Sequence, residues 1–455
     1  MSNKESKKFF GTDGVRGVAG EFPLDRRTVS LIGKSLTANL TRASGSKPRI
    51  IIGRDTRESG PQIEQWLAEG ASAAGAEVES AGVITTPGVA FITRKAGFDA
   101  GVVISASHNP YRDNGIKIFS PSGKKLDDRT EISIEKDLQA WIDEESVALN
   151  QGRVPADEHA EYKEDYIGYL ANEVGNGLRL DGLNVAIDCA NGAASAIAPE
   201  VFRRLGTAVT LLSASPDGRN INEQCGSLHM ENLQEAVLAQ KLDLGIAFDG
   251  DADRALFVDG SGALIDGDHV LLILAEHMKS KGALAKQTVV ATVMSNIGLE
   301  IALQERAIEL VRAQVGDRYV LEELLARGAS VGGEQSGHII FPSISLAGDG
   351  IITAIELLRA VRESRQTLTA LASKLTKFPQ VLINVRVASK PPLETLPEVQ
   401  SEVDRIEEAL KGRGRLLVRY SGTENLARVM IEGEDQAKIE EQARGLAGLI
   451  QRVIG

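Results

Sequence analysis

Cysteine is almost missing from this chain: of 455 residues only Cys189 and Cys225 carry a thiol. Their spacing matches neither C-x-x-C nor a zinc-ligand pattern, so both are read as buried or free thiols in a reducing compartment. Long apolar runs are missing as well. No stretch approaches the length of a membrane span, and the opening residues MSNKESKKFF carry lysines without the apolar core of a secretory signal. A cytoplasmic protein with no membrane partner is therefore expected. Positive charge is in deficit too: 51 lysines and arginines stand against 63 aspartates and glutamates, a net charge of -12. That balance argues against nucleic acid and anionic lipid as general partners, and it requires any anionic ligand to be met by locally placed arginines and lysines.

Glycine, by contrast, is plentiful. It makes up 46 of 455 residues, about a tenth against a usual ~7%, and the excess falls in loops after apolar strands, where backbone must approach something closely. The length corresponds to roughly three domains. A strand at RIIIGR, a helix over residues 62–74, a strand at AEVESAGVI, a helix from Pro87 to Lys95 and a strand at Val102–Ile104 spell βαβαβ, the pattern of a parallel, doubly wound sheet. Polar helical segments at residues 127–145 and 156–173 follow. The pattern then returns with LNVAIDC, TAVTLLSA and DLGIAF, and again with TVVATV, IELVRA and SVGGEQSGHIIF, without any residue-level repeat. After Lys377-Phe378-Pro379 it changes. VLINVRVA, a helix near Val399–Leu410, RLLVRYSG, ARVMIEG and a closing helix read as a smaller α+β unit with hairpin pairing. The predicted domains are residues 1–155, 156–257, 258–375 and 376–455.

Four stretches carry chemistry. In GVVISASHNPYRDNGIK, Gly101 to Lys117, a β-branched strand stops at a Ser-His-Asn-Pro turn, which places Ser107 at a strand's carboxyl end. Ligands of open α/β sheets bind at that edge, and Pro110 fixes one backbone angle, so Ser107 is a candidate nucleophile; a serine turn capping the strand is the competing reading. DGDADR puts Asp249, Asp251 and Asp253 in one tight loop, where three carboxylates repel unless a hard cation lies among them, and all-oxygen ligation favours Mg²⁺ over Zn²⁺. An EF-hand is excluded, because its sixth position is Arg254 rather than Gly and its twelfth Gly260 rather than Glu. GGEQSGH sets Glu334, Ser336 and His338 at alternating positions, which an extended loop would show on one side, as suits sugar hydroxyls or simply a polar surface strand. RYSGTENLAR combines a glycine turn, hydroxyls and the flanking Arg419 and Arg428, the parts of a phosphate cradle. GTDGVRG, with Arg16, is a weaker anion-site candidate.

Together with GRDTRESG, CGSLH and VGDRYV, these stretches appear in the order found in the α-D-phosphohexomutase superfamily, and the chain resembles that family over nearly its whole length. The resemblance implies three successive doubly wound α/β domains with mixed sheets and a smaller C-terminal α+β domain around a central cleft. It implies that Ser107 carries a phosphoryl group, and that Asp249, Asp251 and Asp253 hold one Mg²⁺ with a phosphoserine oxygen. Arg254 would contact the transferring phosphate, while His108 and Lys117 would assist proton transfer or neutralise charge. Arg16, Gly316, Asp317, Glu334 and Ser336 would meet the substrate, and Arg419, Ser421, Gly422, Thr423 and Arg428 its non-reacting phosphate. The amino-sugar branch is the nearest, implying exchange between glucosamine 6-phosphate and glucosamine 1-phosphate with a bisphosphorylated sugar as activator. A mannose or glucose enzyme on the same scaffold and a silent sugar-phosphate sensor remain alternatives. One departure is Asn425, which stands where the family commonly has proline after Ser-Gly-Thr-Glu.

Overall fold

The structure, a computed structural model, describes residues 9–11, 14–142, 158–421 and 425–455. Its first sheet is built from β1 (Phe10–Gly11), β2 (Gly14–Val18), β3 (Arg49–Arg54), β4 (Glu77–Val83), β5 (Ala100–Ile104) and β6 (Asp113–Phe119), with α1 (Arg26–Ser44), α2 (Gly60–Ala73), α3 (Thr86–Lys95) and α4 (Asp128–Trp141) around it. The strand order is β1-β2-β6-β5-β3-β4. β3 runs parallel to β4 and β5, as the βαβαβ pattern requires. β6 then returns antiparallel to β5, and β2 antiparallel to β6, so the sheet is mixed rather than parallel throughout. The cause is loop length: residues 105–112 are too few for the crossover that a parallel partner needs. Helix α1 had no counterpart in the pattern reading. Its buried face includes Thr28, Ser30, Ser35 and Thr37, which interrupt the apolar stripe that marks an amphipathic helix. Two of these hydroxyls donate to carbonyls of α2, Ser30 Oγ to Trp66 and Thr37 Oγ1 to Ala71, and Thr37 Oγ1 also to Gly33 within α1.

The second sheet repeats the design. After α5 (Ala160–Gly168), which continues into a π-helical turn at Tyr169–Val174, come β7 (Asn184–Asp188), α6 (Ala198–Arg204), β8 (Ala208–Leu212), α7 (Glu231–Gln240), β9 (Leu244–Phe248), β10 (Ala255–Asp259) and β11 (Leu264–Ile265). β7 is parallel to β8 and β9, and β10 pairs antiparallel with β9 because only residues 249–254 join them. The third sheet, ordered β13-β12-β14-β15, follows α8 (Gly267–Ser280). It consists of β12 (Thr288–Thr292), β13 (Glu309–Ala313), β14 (Gly332–Gly333) and β15 (Ile339–Ile340), with α9 (Ile297–Gln304), α10 (Asp317–Arg327), α11 (Gly350–Ser364) and α12 (Leu368–Ala372) in the same span of chain.

The last sheet is the antiparallel β16-β18-β17, from β16 (Gln380–Arg386), β17 (Gly414–Tyr420) and β18 (Leu426–Gly433), with α13 (Pro397–Leu410) and α14 (Gln436–Ile454). Its core is Val385, Val399, Ile406, Val429, Ile431, Leu446 and Ile450, so the helices cover one face of the sheet. Two compact units result: residues 1–294 with 310–372, and residues 295–309 with 373–455. α9 belongs to the second, where Asn296 exchanges two hydrogen bonds with the backbone of Phe378 and Glu432 accepts the amide of Ile297. Among the described residues, no helix is long and apolar enough to cross a membrane.

Candidate active site

β5 and β9 are five-residue strands buried at every position, each the last parallel strand of its sheet, and each ends in a short hairpin connection. Those two connections are the Ser107 loop and the DGDADR loop, and they meet. The Ser107 hydroxyl donates to Asp249 Oδ2 at 2.5 Å and lies 3.4 Å from His108 Nδ1. Gly250 makes the approach possible, since a Cβ there would come within 2.6 Å of the Ser107 carbonyl oxygen. Ser107 is 2% exposed and sits at φ 52°, in the left-handed region.

One ligand oxygen from each of Asp249, Asp251 and Asp253 lies within 4.8 Å of the others, and all three residues are buried. Lys117 reaches into the cluster from β6, with Nζ 2.9 Å from Asp251 Oδ2 and 3.5 Å from Asp253 Oδ2. Thr86, at the start of α3, donates its hydroxyl to the same Asp251 oxygen at 2.6 Å. Burial, together with Asp253 and Asp251 beside it, holds the Asp249 carboxyl well above the ordinary carboxylate range. Burial would raise Asp253 as well, but Lys117 and His338 hold it well below that range. Oδ1 of Asp251 and Oδ1 of Asp253 are buried and accept no hydrogen bond among the described residues. Two buried anionic oxygens without a hydrogen bond, beside a third carboxylate, are a donor set that fits a hard divalent cation.

Arg254 ends the loop. Its amide donates to Asp249 Oδ1 at 3.1 Å and its guanidinium to His108 Nδ1 at 3.1 Å. Burial first, then the charges of Arg254 and Arg16, push the His108 pKa down to about 4, so this imidazole is neutral at physiological pH. Arg16 lies on β2 opposite Gly115, near enough for its charge to act on His108. From the third sheet, Glu334 Oε1 accepts the amide of Gly316 at 3.1 Å, and Ser336 Oγ lies 3.4 Å from Glu334 Oε2. The extended row expected for Glu334, Ser336 and His338 is not formed. Gly337, at φ 90°, donates to the Glu334 carbonyl and reverses the chain, so the stretch is a hairpin between β14 and β15. His338 leaves the pair and bridges Asp253 and Asp317 at 3.6 and 3.7 Å, and Lys125 pairs with Asp317 at 2.7 Å.

In the second unit, Arg419 and Arg428 stand directly opposite each other on β17 and β18. Like charges in register destabilise a hairpin unless an anion lies between them. Burial and then Arg428 lower the Arg419 pKa from its ordinary value. The Ser421 amide closes the ladder on the Leu426 carbonyl, and Lys390 Nζ donates to the Ser421 carbonyl at 2.8 Å. Gly422 and Thr423 lie outside the described residues.

A curated phosphoglucosamine mutase from Solibacter usitatus is 49% identical to this chain, the match covering 99% of this chain and all of that protein. The phosphoglucosamine mutase of Koribacter versatilis is also 49% identical, over 100% and 98% of the two chains. The chain belongs to the phosphoglucomutase/phosphomannomutase family. Models of the family's α/β/α domains I, II and III match residues 7–145, 164–262 and 266–378 of this phosphohexomutase, and the model of its C-terminal domain matches 382–449. Among solved structures, a family protein from Burkholderia thailandensis shares the fold with a TM-score of 0.79 at 24% identity, over 99% of both chains. The N-acetylphosphoglucosamine mutase of Aspergillus fumigatus, solved with GlcNAc-6P and magnesium, has a TM-score of 0.67 at 18% identity, over 100% of this chain and 97% of that one.

Within the first unit of the phosphohexomutase, then, Ser107, His108, Lys117, Arg16, Arg254 and the three aspartates converge, with Glu334 and Asp317 joined through Gly316 and His338. Sequence reasoning left several members of this site without a role. Thr86 and Asn222 carry no motif signal. Asp55 and Arg57 lie in GRDTRESG, whose charges right after a strand are their only sign, and His338, read with Glu334 and Ser336 as one face toward sugar hydroxyls, instead bridges Asp253 and Asp317.

Proposed function

We propose that this phosphohexomutase interconverts glucosamine 6-phosphate and glucosamine 1-phosphate, with Ser107 as phosphoryl carrier and glucosamine 1,6-bisphosphate as intermediate and activator. The observation that carries the reading is the Ser107 hydroxyl, buried 2.5 Å from Asp249 in a carboxylate trio flanked by Lys117 and Arg254. Relatives matched end to end and named phosphoglucosamine mutase select the amino sugar. Asp249, Asp251 and Asp253 would hold one Mg²⁺, which when bound neutralises charge on the phosphoryl group.

Phosphoryl transfer needs positioning and charge neutralisation more than covalent help. In the first half-reaction the bond from phosphorus to Ser107 Oγ breaks as a bond to a sugar hydroxyl oxygen forms and that hydroxyl's proton passes to the serine oxygen; in the second the phosphorus–oxygen bond at the other end of the sugar breaks, the serine oxygen takes the phosphoryl group and its proton returns to the sugar. Lys117 and Arg254 balance the charge that shifts between these oxygens. His108 Nδ1 accepts from Arg254, so the neutral imidazole holds the guanidinium toward the serine. Gly316, Asp317, Glu334 and Ser336 grip the sugar, and Arg16 meets phosphate beside His108. Arg419, Ser421, Gly422, Thr423 and Arg428 hold the phosphate that is not reacting.

The test is turnover of glucosamine, glucose and mannose phosphates by wild type and Glu334→Gln, with intact mass to find phosphate on Ser107. A carboxylate beside the C2 amine is worth roughly 1.5–3 kcal/mol, so the amino sugar should be preferred, and the preference should shrink in Glu334→Gln. A wild type that favours glucose or mannose phosphate removes the amino-sugar assignment and leaves the family's chemistry.

A further inference from the structure

The backbone of Ser107 is held from both sides by groups outside the carboxylate trio. On its amide side, Ser107 N donates to Ser105 Oγ at 2.9 Å, and Ser105 Oγ donates to Asp55 Oδ2 at 2.6 Å. Asp55 forms an ion pair with Arg57, and both side chains are fully buried. On its carbonyl side, Arg57 Nη2 donates to the carbonyl oxygens of Ser107 and Asn109 at 3.3 and 2.5 Å. Asn222 Nδ2 donates to the same two oxygens at 2.9 and 3.0 Å. Arg57 follows β3 of the first sheet, whereas Asn222 lies between β8 and α7 of the second domain, itself at φ 58° and tied by its amide to the Ala190 carbonyl. The loop of Arg57 is tied to the second domain again by Thr56 Oγ1 donating to the Asn191 carbonyl, after β7, at 2.6 Å and by Glu58 N donating to the Gly218 carbonyl, in the Asn222 loop, at 2.9 Å.

From this geometry we propose that Arg57 and Asn222 are positioning residues that clamp the Ser107–Asn109 backbone from two domains, holding Ser107 in its left-handed conformation with Oγ aimed at Asp249. The inference rests on the mutase reading above. Left-handed backbone is unfavourable for a residue that carries a β-carbon, so without the clamp the loop relaxes and the hydroxyl swings away from the line of transfer. Misplacement by about 1 Å is enough to cost a hundredfold in rate. Arg57 and Asn222 spend these hydrogen bonds on Asp55 and on backbone carbonyls rather than on Asp249, Asp251 or Asp253, so metal binding should be spared.

The experiment follows phosphate uptake. The dephosphorylated enzyme is mixed with glucosamine 1,6-bisphosphate and Mg²⁺, and phosphate on Ser107 is timed by intact mass after quenching. In that step the bond from Ser107 Oγ to phosphorus forms, the phosphorus–oxygen bond to the sugar breaks, and the serine proton ends on the sugar hydroxyl. Asn222→Ala should slow this uptake, and kcat, by tenfold or more, with KM and the Mg²⁺ concentration dependence within twofold of wild type. Arg57→Lys keeps the charge facing Asp55 but loses the second guanidinium nitrogen that reaches the two carbonyls, and should behave alike. Because Arg57 is buried, its variant is the one at risk of not folding, and Asn222→Ala then decides alone. Uptake and kcat of folded Asn222→Ala within twofold of wild type overturn the clamp, as does a raised KM that accounts for the whole defect. If wild-type Ser107 takes up no phosphate at all, the mutase reading fails and the inference falls with it.

Discussion

Ser107 occupies backbone space that glycine enters freely and serine does not, at φ 52°, and this separates two substitutions that both remove its hydroxyl. Ser107→Ala and Ser107→Gly should both abolish phosphate uptake and turnover. Equilibrium unfolding in urea should nevertheless find the glycine variant at least as stable as the alanine one, by up to about 1 kcal/mol, since glycine has no β-carbon to strain. A less stable glycine variant would mean that the loop relaxes when the hydroxyl is gone. Asp251 offers a second test at this scale. Its Oδ2 already takes Lys117 and Thr86, leaving Oδ1 for a cation. Asp251→Asn should therefore fold normally while requiring at least tenfold more Mg²⁺ for half-maximal activity, and an unchanged Mg²⁺ titration would remove it from the ligand set.

Two elements carry predictions of their own. On the β17–β18 hairpin, the facing pair Arg419 and Arg428 is costly without an anion, so Arg419→Ala should leave the unit at least as stable while lowering kcat/KM by ten- to a hundredfold. That range corresponds to roughly 1.5–3 kcal/mol for a hydrogen bond to a charged group. Equal losses on a substrate lacking the distal phosphate would make the residue structural. Helix α11 is capped by Asp349, whose Oδ1 accepts the amides of Ile351 and Ile352 and whose Oδ2 accepts the Tyr166 hydroxyl at 2.5 Å. Burial raises this carboxyl to about 6, against the weaker opposing effect of those hydrogen bonds. Between the unfolded value near 4 and pH 6, the folded state binds the extra proton, so this group's contribution to stability declines as pH rises through that window. Asn caps as well as Asp. Asp349→Asn should thus match or exceed wild type at pH 7.5, with the advantage shrinking toward pH 4.5; melting curves across that range check the sign, and an advantage that grows in acid would refute the assignment.

The two compact units of the molecule carry different chemistry, a carboxylate trio in one and a facing arginine pair in the other. A ligand stabilises only the state that binds it, by about 2.7 kcal/mol at a hundred times its Kd. Calorimetry should accordingly resolve two transitions, with Mg²⁺ moving one of them upward and inorganic phosphate the other. A single transition shifted equally by both would show that the units unfold together.

Much of this was legible in the one-dimensional pattern. Apolar strands that alternate with helices must form parallel α/β layers, because each strand buries both faces, and residues at a strand's carboxyl end must fall on a sheet edge. Ser107 and the three aspartates were readable for that reason, as was the arginine hairpin of RYSGTENLAR. What depended on tertiary structure was everything set by contacts between residues distant in sequence. Residues 105–112 and 249–254 are both short connections, but that they face each other follows from the packing of two sheets. Asn222 meets Ser107 across 115 positions of chain, and no local periodicity encodes a hydrogen bond of that kind. Nor does spacing distinguish an extended row of polar residues from the turn that Gly337 makes, since both place the same letters two apart and only the backbone, once packed, chooses between them.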